Sequence, residues 1–296
     1  MFSGSLVALI TPFDGNDRVD YTSLKRLIDF HVEQGSDGLV IAGTTGESAT
    51  LTHSEHVELV GRAVEIAAGR LPIIAGTGSN STAQTVELSC AVADTGIDAY
   101  LIVVPYYNKP VQEGLYQHFT VVADAVDKPV MLYNVPGRTV ADLLPETVGR
   151  LAKHDNIFGI KEATGDIERL KAIQDLVDDE FRFYSGDDFT LLPFIESGGH
   201  GVVTVSGNVA PKQVAALCRL ALQGKIDEAR ALDDSLQGLN KLLFVESNPM
   251  PVKWAVSQMG LVGPGIRLPL TPFSAEFHDE MRAAMRLAGV ALEGNA

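Results

Sequence analysis

The chain has 296 residues, 46% of them hydrophobic and 28 of them glycine, enough to bury a large core in a single α/β unit. With 23 basic against 38 acidic side chains the formal net charge is −15, which argues against nucleic acid or an anionic membrane as a partner, since both require a cationic face. An anionic small molecule would have to be held by a few local cations.

In chain order, the first apolar run lies at Leu6 to Ile10 in "MFSGSLVALITPFDG". No basic residue precedes it, so it does not read as a signal peptide, and no stretch reaches membrane-spanning length. It opens a series of eight β-rich runs: "LVALI" from Leu6, "GLVIAG" from Gly38, "PIIAGTG" from Pro72, "AYLIVVP" from Ala99, "PVMLYNVP" from Pro129, "IFGIKEA" from Ile157, "FRFYSGDD" from Phe181 and "GVVTVSG" from Gly201. Each is nearly continuously apolar, as expected of parallel strands covered by helices on one face and a packed interior on the other. Amphipathic segments separate them. "YTSLKRLIDFHVEQG" places Leu24, Leu27, Ile28 and Val32 on one face, and "THSEHVELVGRAVEIAAG" opens on Thr52 with Glu55 three residues later, a capping box.

Strand starts fall about 20 to 34 residues apart, the span of a strand, a helix and two loops. Eight such units, with no glycine-rich dinucleotide fingerprint after the first strand, predict a (β/α)8 TIM barrel over residues 1–224. From about Lys225 the pattern stays helical to residue 296, a C-terminal extension in which "NPMPVKW" and "GPGIRLPLTPF" read as turns. Cys90 and Cys218 sit at helical spacing among alanines and leucines, which predicts buried reduced thiols and a cytoplasmic location.

In a barrel of this type function collects at the carboxyl ends of the strands. Six of those ends are polar here: "GTTGE", "GTGSN", "PYYNKP", "YNVPGRT", "KEATGD" and "SGDD". Lys161 closes the sixth strand, and alternation puts Ile157, Gly159, Lys161 and Ala163 toward the interior, with Phe158, Ile160 and Glu162 toward the helices. Small neighbours leave room for a long amine and for something bound to it. Partial desolvation disfavours its charged form and makes it a nucleophile. The same placement fits a lysine that snorkels to water or pairs with a buried carboxylate. Tyr133 ends the neighbouring strand on the same side as Met131 and Val135; a phenol beside a Schiff-base lysine can shuttle protons, although a core tyrosine is an equal alternative. Thr44 and Thr45 can give hydroxyl and backbone donors to a carboxylate, or cap the strand end. Arg138, in "GRT", offers a planar fork for a carboxylate, or is a solvated loop residue.

Together "GTTGES", "PYYNKPVQEGLYQHF", "YNVPGRT", "GIKEATGD" and "NPMPVKWA" resemble the dihydrodipicolinate synthase family, within the pyruvate-dependent class I aldolases that include N-acetylneuraminate lyase. The resemblance covers essentially the whole chain. It implies a lyase that joins pyruvate to L-aspartate-4-semialdehyde in lysine and diaminopimelate biosynthesis. Lys161 would form the Schiff base, with Tyr133, Thr44 and Tyr107 as a hydroxyl relay and Tyr107 coming from a neighbouring subunit. Thr45 would bind the pyruvate carboxylate, Arg138 the carboxylate of the aldehyde, and the Val203 carbonyl would face the site. No metal or organic cofactor is implied, and the assembly would be a homotetramer built from tight dimers. Feedback by lysine would involve Ser48, Ala49, His53, His56, Asn80, Gln84 and Tyr106, with Gln84 standing where inhibited members usually carry glutamate. Two other readings stay open: a sialic acid or sugar-acid lyase, and a barrel that binds metabolites without catalysis.

Overall fold

The computed structural model describes residues 2–292. Its eight strands are β1 (Gly4–Ala8), β2 (Gly38–Ile41), β3 (Ile73–Gly76), β4 (Ala99–Val103), β5 (Val130–Asn134), β6 (Ile157–Glu162), β7 (Arg182–Ser185) and β8 (Gly201–Thr204). All neighbours pair in parallel, and β1 pairs with β8 to close the barrel. The apolar runs are continuous because both faces are covered. Leu6 and Ala8 pack inside the barrel, whereas Val7 packs in the layer between barrel and helices. Met131, Tyr133 and Val135 share the interior, as their alternation predicts.

Phe158 departs from the expected alternation. It lies in the interior, edge-on to Phe2 and Tyr184, while Ile157 faces the helices. The cause is a register shift: Val130 pairs with Ile157 but Met131 pairs with Gly159, so β6 carries one extra residue at this step. Past the irregularity the predicted pattern resumes, with Ile160 outward and Lys161 opposite Tyr133.

The surrounding helices start and stop where local chemistry allows. Asp20 caps Tyr21–Gln34 by accepting from the N–H groups of Thr22 and Ser23, and Gly35 ends it at φ 77°. On that helix Val32 is only half-buried and His31 takes the buried place, where desolvation pushes its imidazole down to about 3. The expected capping box of His53–Ala67 is present, with both Thr52 and Glu55 contributing. Cys90 is exposed rather than buried, because the inward stripe of Thr82–Ala93 runs through Thr85, Ser89 and Val92 and leaves the next residue turned outward; Cys218 is buried, as expected.

After the barrel come helices Ile226–Leu243, Met250–Gln258 and His278–Leu287. "NPMPVKW" is therefore the start of a helix, not a turn, with proline in its first turn, where the missing N–H has no intrahelical partner to lose. No helix among the described residues is long and apolar enough to cross a membrane.

Candidate active site

The ends of β5 and β6 set Tyr133 directly beside Lys161 and Asn134 beside Glu162. Lys161 is 6% exposed, and its Nζ sits 4.0 Å from the centre of the Tyr133 ring. Among the described residues Lys161 forms no ion pair, so a pairing carboxylate is not what holds it there. Room for its stem comes from Gly186, at the end of β7. A Cβ at that position would lie 2.9 Å from Lys161 Cε and 2.6 Å from the Ala163 Cβ. "SGDD" shows this glycine in the sequence, but nothing there says that it faces the lysine.

One residue beyond each member of the pair, the strands are pinned from outside. Asn134 Nδ2 donates to Asp142 Oδ1 at 2.9 Å and to Glu162 Oε2 at 3.1 Å, and its Oδ1 accepts from the Leu143 N–H at 3.0 Å. Arg169 bridges Glu162 at 3.0 Å and Asp142 at 2.8 Å. Burial pushes the Glu162 carboxyl up, against the Arg169 guanidinium, which acts to lower it. The network fixes the seam on which Tyr133 and Lys161 sit.

Beside the barrel interior opens a cleft of about 840 Å³. Thr44 and Arg138 line it, and Val135 belongs both to its wall and to the interior cluster that holds Tyr133 and Val203. Arg138 is exposed, its Nη2 3.4 Å from the Asn248 carbonyl oxygen. Thr45 is buried, and its hydroxyl oxygen accepts from Asn248 Nδ2 at 3.0 Å. Tyr107 lies apart, 86% exposed at φ 74°, whereas Tyr106 lines the cleft. The two neighbouring tyrosines thus point different ways.

Ser48, Ala49, His53, His56 and Gln84 line the same cleft. Asn80 is not part of the lining; its carbonyl accepts from Asn108 Nδ2 at 2.8 Å. His56 is buried with Nε2 2.8 Å from the Gly76 carbonyl, and desolvation pushes it down to about 4, so it stays neutral and donates that bond. Gln84 Oε1 accepts from the Ser79 hydroxyl at 3.1 Å. Glu47, Asn248, Lys253 and Arg267 also meet at the loop after β2; none of them is singled out individually by the sequence, because contacts across 200 residues of chain leave no local pattern.

A model of the dihydrodipicolinate synthetase family matches residues 1–288. The 4-hydroxy-tetrahydrodipicolinate synthase of Ectopseudomonas mendocina is 54% identical over 290 residues, covering 98% of this chain and 99% of the relative. The Pseudomonas aeruginosa protein of the same name is 53% identical over the same length and the same shares. Among solved structures, the Acinetobacter baumannii dihydrodipicolinate synthase complexed with pyruvate superimposes with a TM-score of 0.96 at 46% identity, over 98% of this chain and 100% of its own. That of Aquifex aeolicus gives 0.96 at 44% identity, over 99% and 100%.

Proposed function

The chain belongs to the dihydrodipicolinate synthetase family, and from that premise we propose that Lys161 condenses pyruvate with L-aspartate-4-semialdehyde through a Schiff base. The activity is the lyase step of lysine and diaminopimelate biosynthesis for which its relatives are named. The observation that carries the residue assignment is the buried Lys161 against the Tyr133 ring, with no ion pair among the described residues.

The Lys161 amine adds to C2 of pyruvate, the carbinolamine loses water, and the imine makes the methyl group acidic enough to lose a proton. The resulting enamine attacks the aldehyde carbon. Tyr133, Thr44 and Tyr107 relay the protons these steps move. The Thr45 hydroxyl already accepts from Asn248, which leaves its hydrogen free to donate to the pyruvate carboxylate. Arg138, in the cleft wall, holds the carboxylate of the aldehyde, the local cation that a chain of charge −15 requires. The Val203 carbonyl faces the reacting groups. A coupled assay across aldehydes tests this: pyruvate should be consumed with L-aspartate-4-semialdehyde, whereas consumption only with sugar aldehydes would make the protein a sugar-acid lyase.

We place the enzyme in the cytoplasm as a homotetramer of tight dimers; of this, the outward-facing Tyr107 supports the tight-dimer interface, since it can serve the relay only from a neighbouring subunit. Dilution to monomers should lower activity per subunit. Tyr107→Phe should cost turnover toward the low end of the roughly 10²–10⁴-fold range of general acid–base groups, without unfolding. Fully active monomers would rule out the shared site.

Lysine feedback at Ser48, Ala49, His53, His56, Asn80, Gln84 and Tyr106 is expected to be weak. An amide at Gln84 gives the effector's ammonium group a neutral acceptor in place of a charged one, a loss of about tenfold in affinity. Gln84→Glu should recover that tenfold in equilibrium binding of lysine. Micromolar binding by the native chain, or no gain in the variant, would place the recognition elsewhere, with Glu87 the next carboxylate in the cleft wall.

A further inference from the structure

The loop after β2 is held in an unfavourable shape by residues from the far end of the chain. Ala42 and Glu47 both lie at φ 54°, the left-handed region that residues with a Cβ adopt only when their surroundings force it. The forcing contacts converge on Glu47, whose side chain is fully buried. One carboxylate oxygen takes Lys253 Nζ, itself on a side chain only 4% exposed, and the other accepts from the Arg267 N–H at 3.1 Å. Phe13 packs against both cations, its ring centre 4.3 Å from Lys253 Nζ and 4.3 Å from Arg267 Cζ. The Arg267 fork continues along the loop to the Thr50 carbonyl at 2.9 Å and to both Glu55 oxygens at 2.6 and 3.0 Å. Asn248, five residues before Lys253, reaches Thr45 at 3.0 Å. Positions 45, 47, 50 and 55 are thus fixed by positions 248, 253 and 267.

A buried ion pair is seldom the most stable solution, since apolar residues of equal volume often match or exceed it. What it does supply is orientation. We propose that Lys253, with Arg267, is a positioning residue for the condensation: by holding Glu47 it keeps the loop in the one conformation that presents the Thr44 and Thr45 hydroxyls to pyruvate. The inference rests on the roles assigned above to those two threonines.

Lys253→Met alone would strip the buried Glu47 carboxylate of its ion-pair partner, and Glu47→Gln alone would strand Lys253 in the same way, so the informative variant is Glu47→Gln with Lys253→Met, which removes both charges and keeps the volume. It should melt within a few degrees of the native enzyme, with KM for pyruvate raised at least about tenfold, the effect of losing one charge-assisted hydrogen bond to the carboxylate. KM for the aldehyde should change several-fold less than KM for pyruvate, because Arg138 meets the clamp only through the Asn248 carbonyl at 3.4 Å. A folded double variant with native KM for pyruvate, or one in which both KM values move together, overturns the proposal. Thr45→Val separates the two layers. If it raises KM for pyruvate while the double variant does not, only the positioning role is lost; if it leaves KM unchanged, the threonine assignment fails, and the positioning role with it.

Discussion

Replacing Lys161 with arginine should reduce turnover by roughly four to six orders of magnitude, the scale seen when an enzyme loses its covalent nucleophile. Arginine stays protonated and forms no imine, while its aliphatic stem still fills much of the space along the barrel interior. The fold should therefore survive, and a melting curve close to the native one will show that the loss is chemical. The fit is not free, because the lysine stem already packs close to the backbone at Gly186. Lys161→Ala removes that concern and should be equally inactive. Normal turnover in either variant would end the Schiff-base role.

Tyr133→Phe is expected to lower kcat by about 10²–10⁴, the usual contribution of a positioned proton donor and acceptor. The geometry makes this a clean subtraction. Lys161 Nζ lies over the aromatic ring, 4.0 Å from its centre, and phenylalanine keeps that face. The neighbouring network of Asn134, Glu162, Arg169 and Asp142 is untouched, so the seam between β5 and β6 stays in register. Only the hydroxyl goes. Imine formation and turnover should slow together while KM for pyruvate changes little, which single-turnover kinetics can read. An equal loss in folded protein and in activity would instead make Tyr133 a core residue.

The barrel was legible in the sequence because the strands are nearly continuous apolar runs separated by amphipathic segments, one of which announces its start with the pair Thr52 and Glu55. The placement of Tyr133 and Lys161 was legible in a similar way: both lie one residue before a strand end, and alternation gives their direction. Alternation fails where the ladder slips, and so Phe158 turned inward against expectation. Cys90 was misplaced because its helix buries a stripe of Thr85, Ser89 and Val92, which is too polar to announce itself as the inner face. The clamp on Glu47 was invisible on different grounds. Lys253 and Arg267 read as ordinary charges until folding brings them across more than 200 residues to a carboxylate in a strained loop. Nor does spacing reveal that Gln84 and His53 share a cleft with Thr44 and Arg138.

The central claim is that one lysine carries the chemistry, and borohydride reduction of the native enzyme in the presence of pyruvate, followed by peptide mass mapping, tests it most directly. The account predicts a single reduced pyruvyl adduct per chain, on Lys161, and none when pyruvate is omitted. An unmodified Lys161, or an adduct carried by another buried lysine such as Lys253, would contradict it.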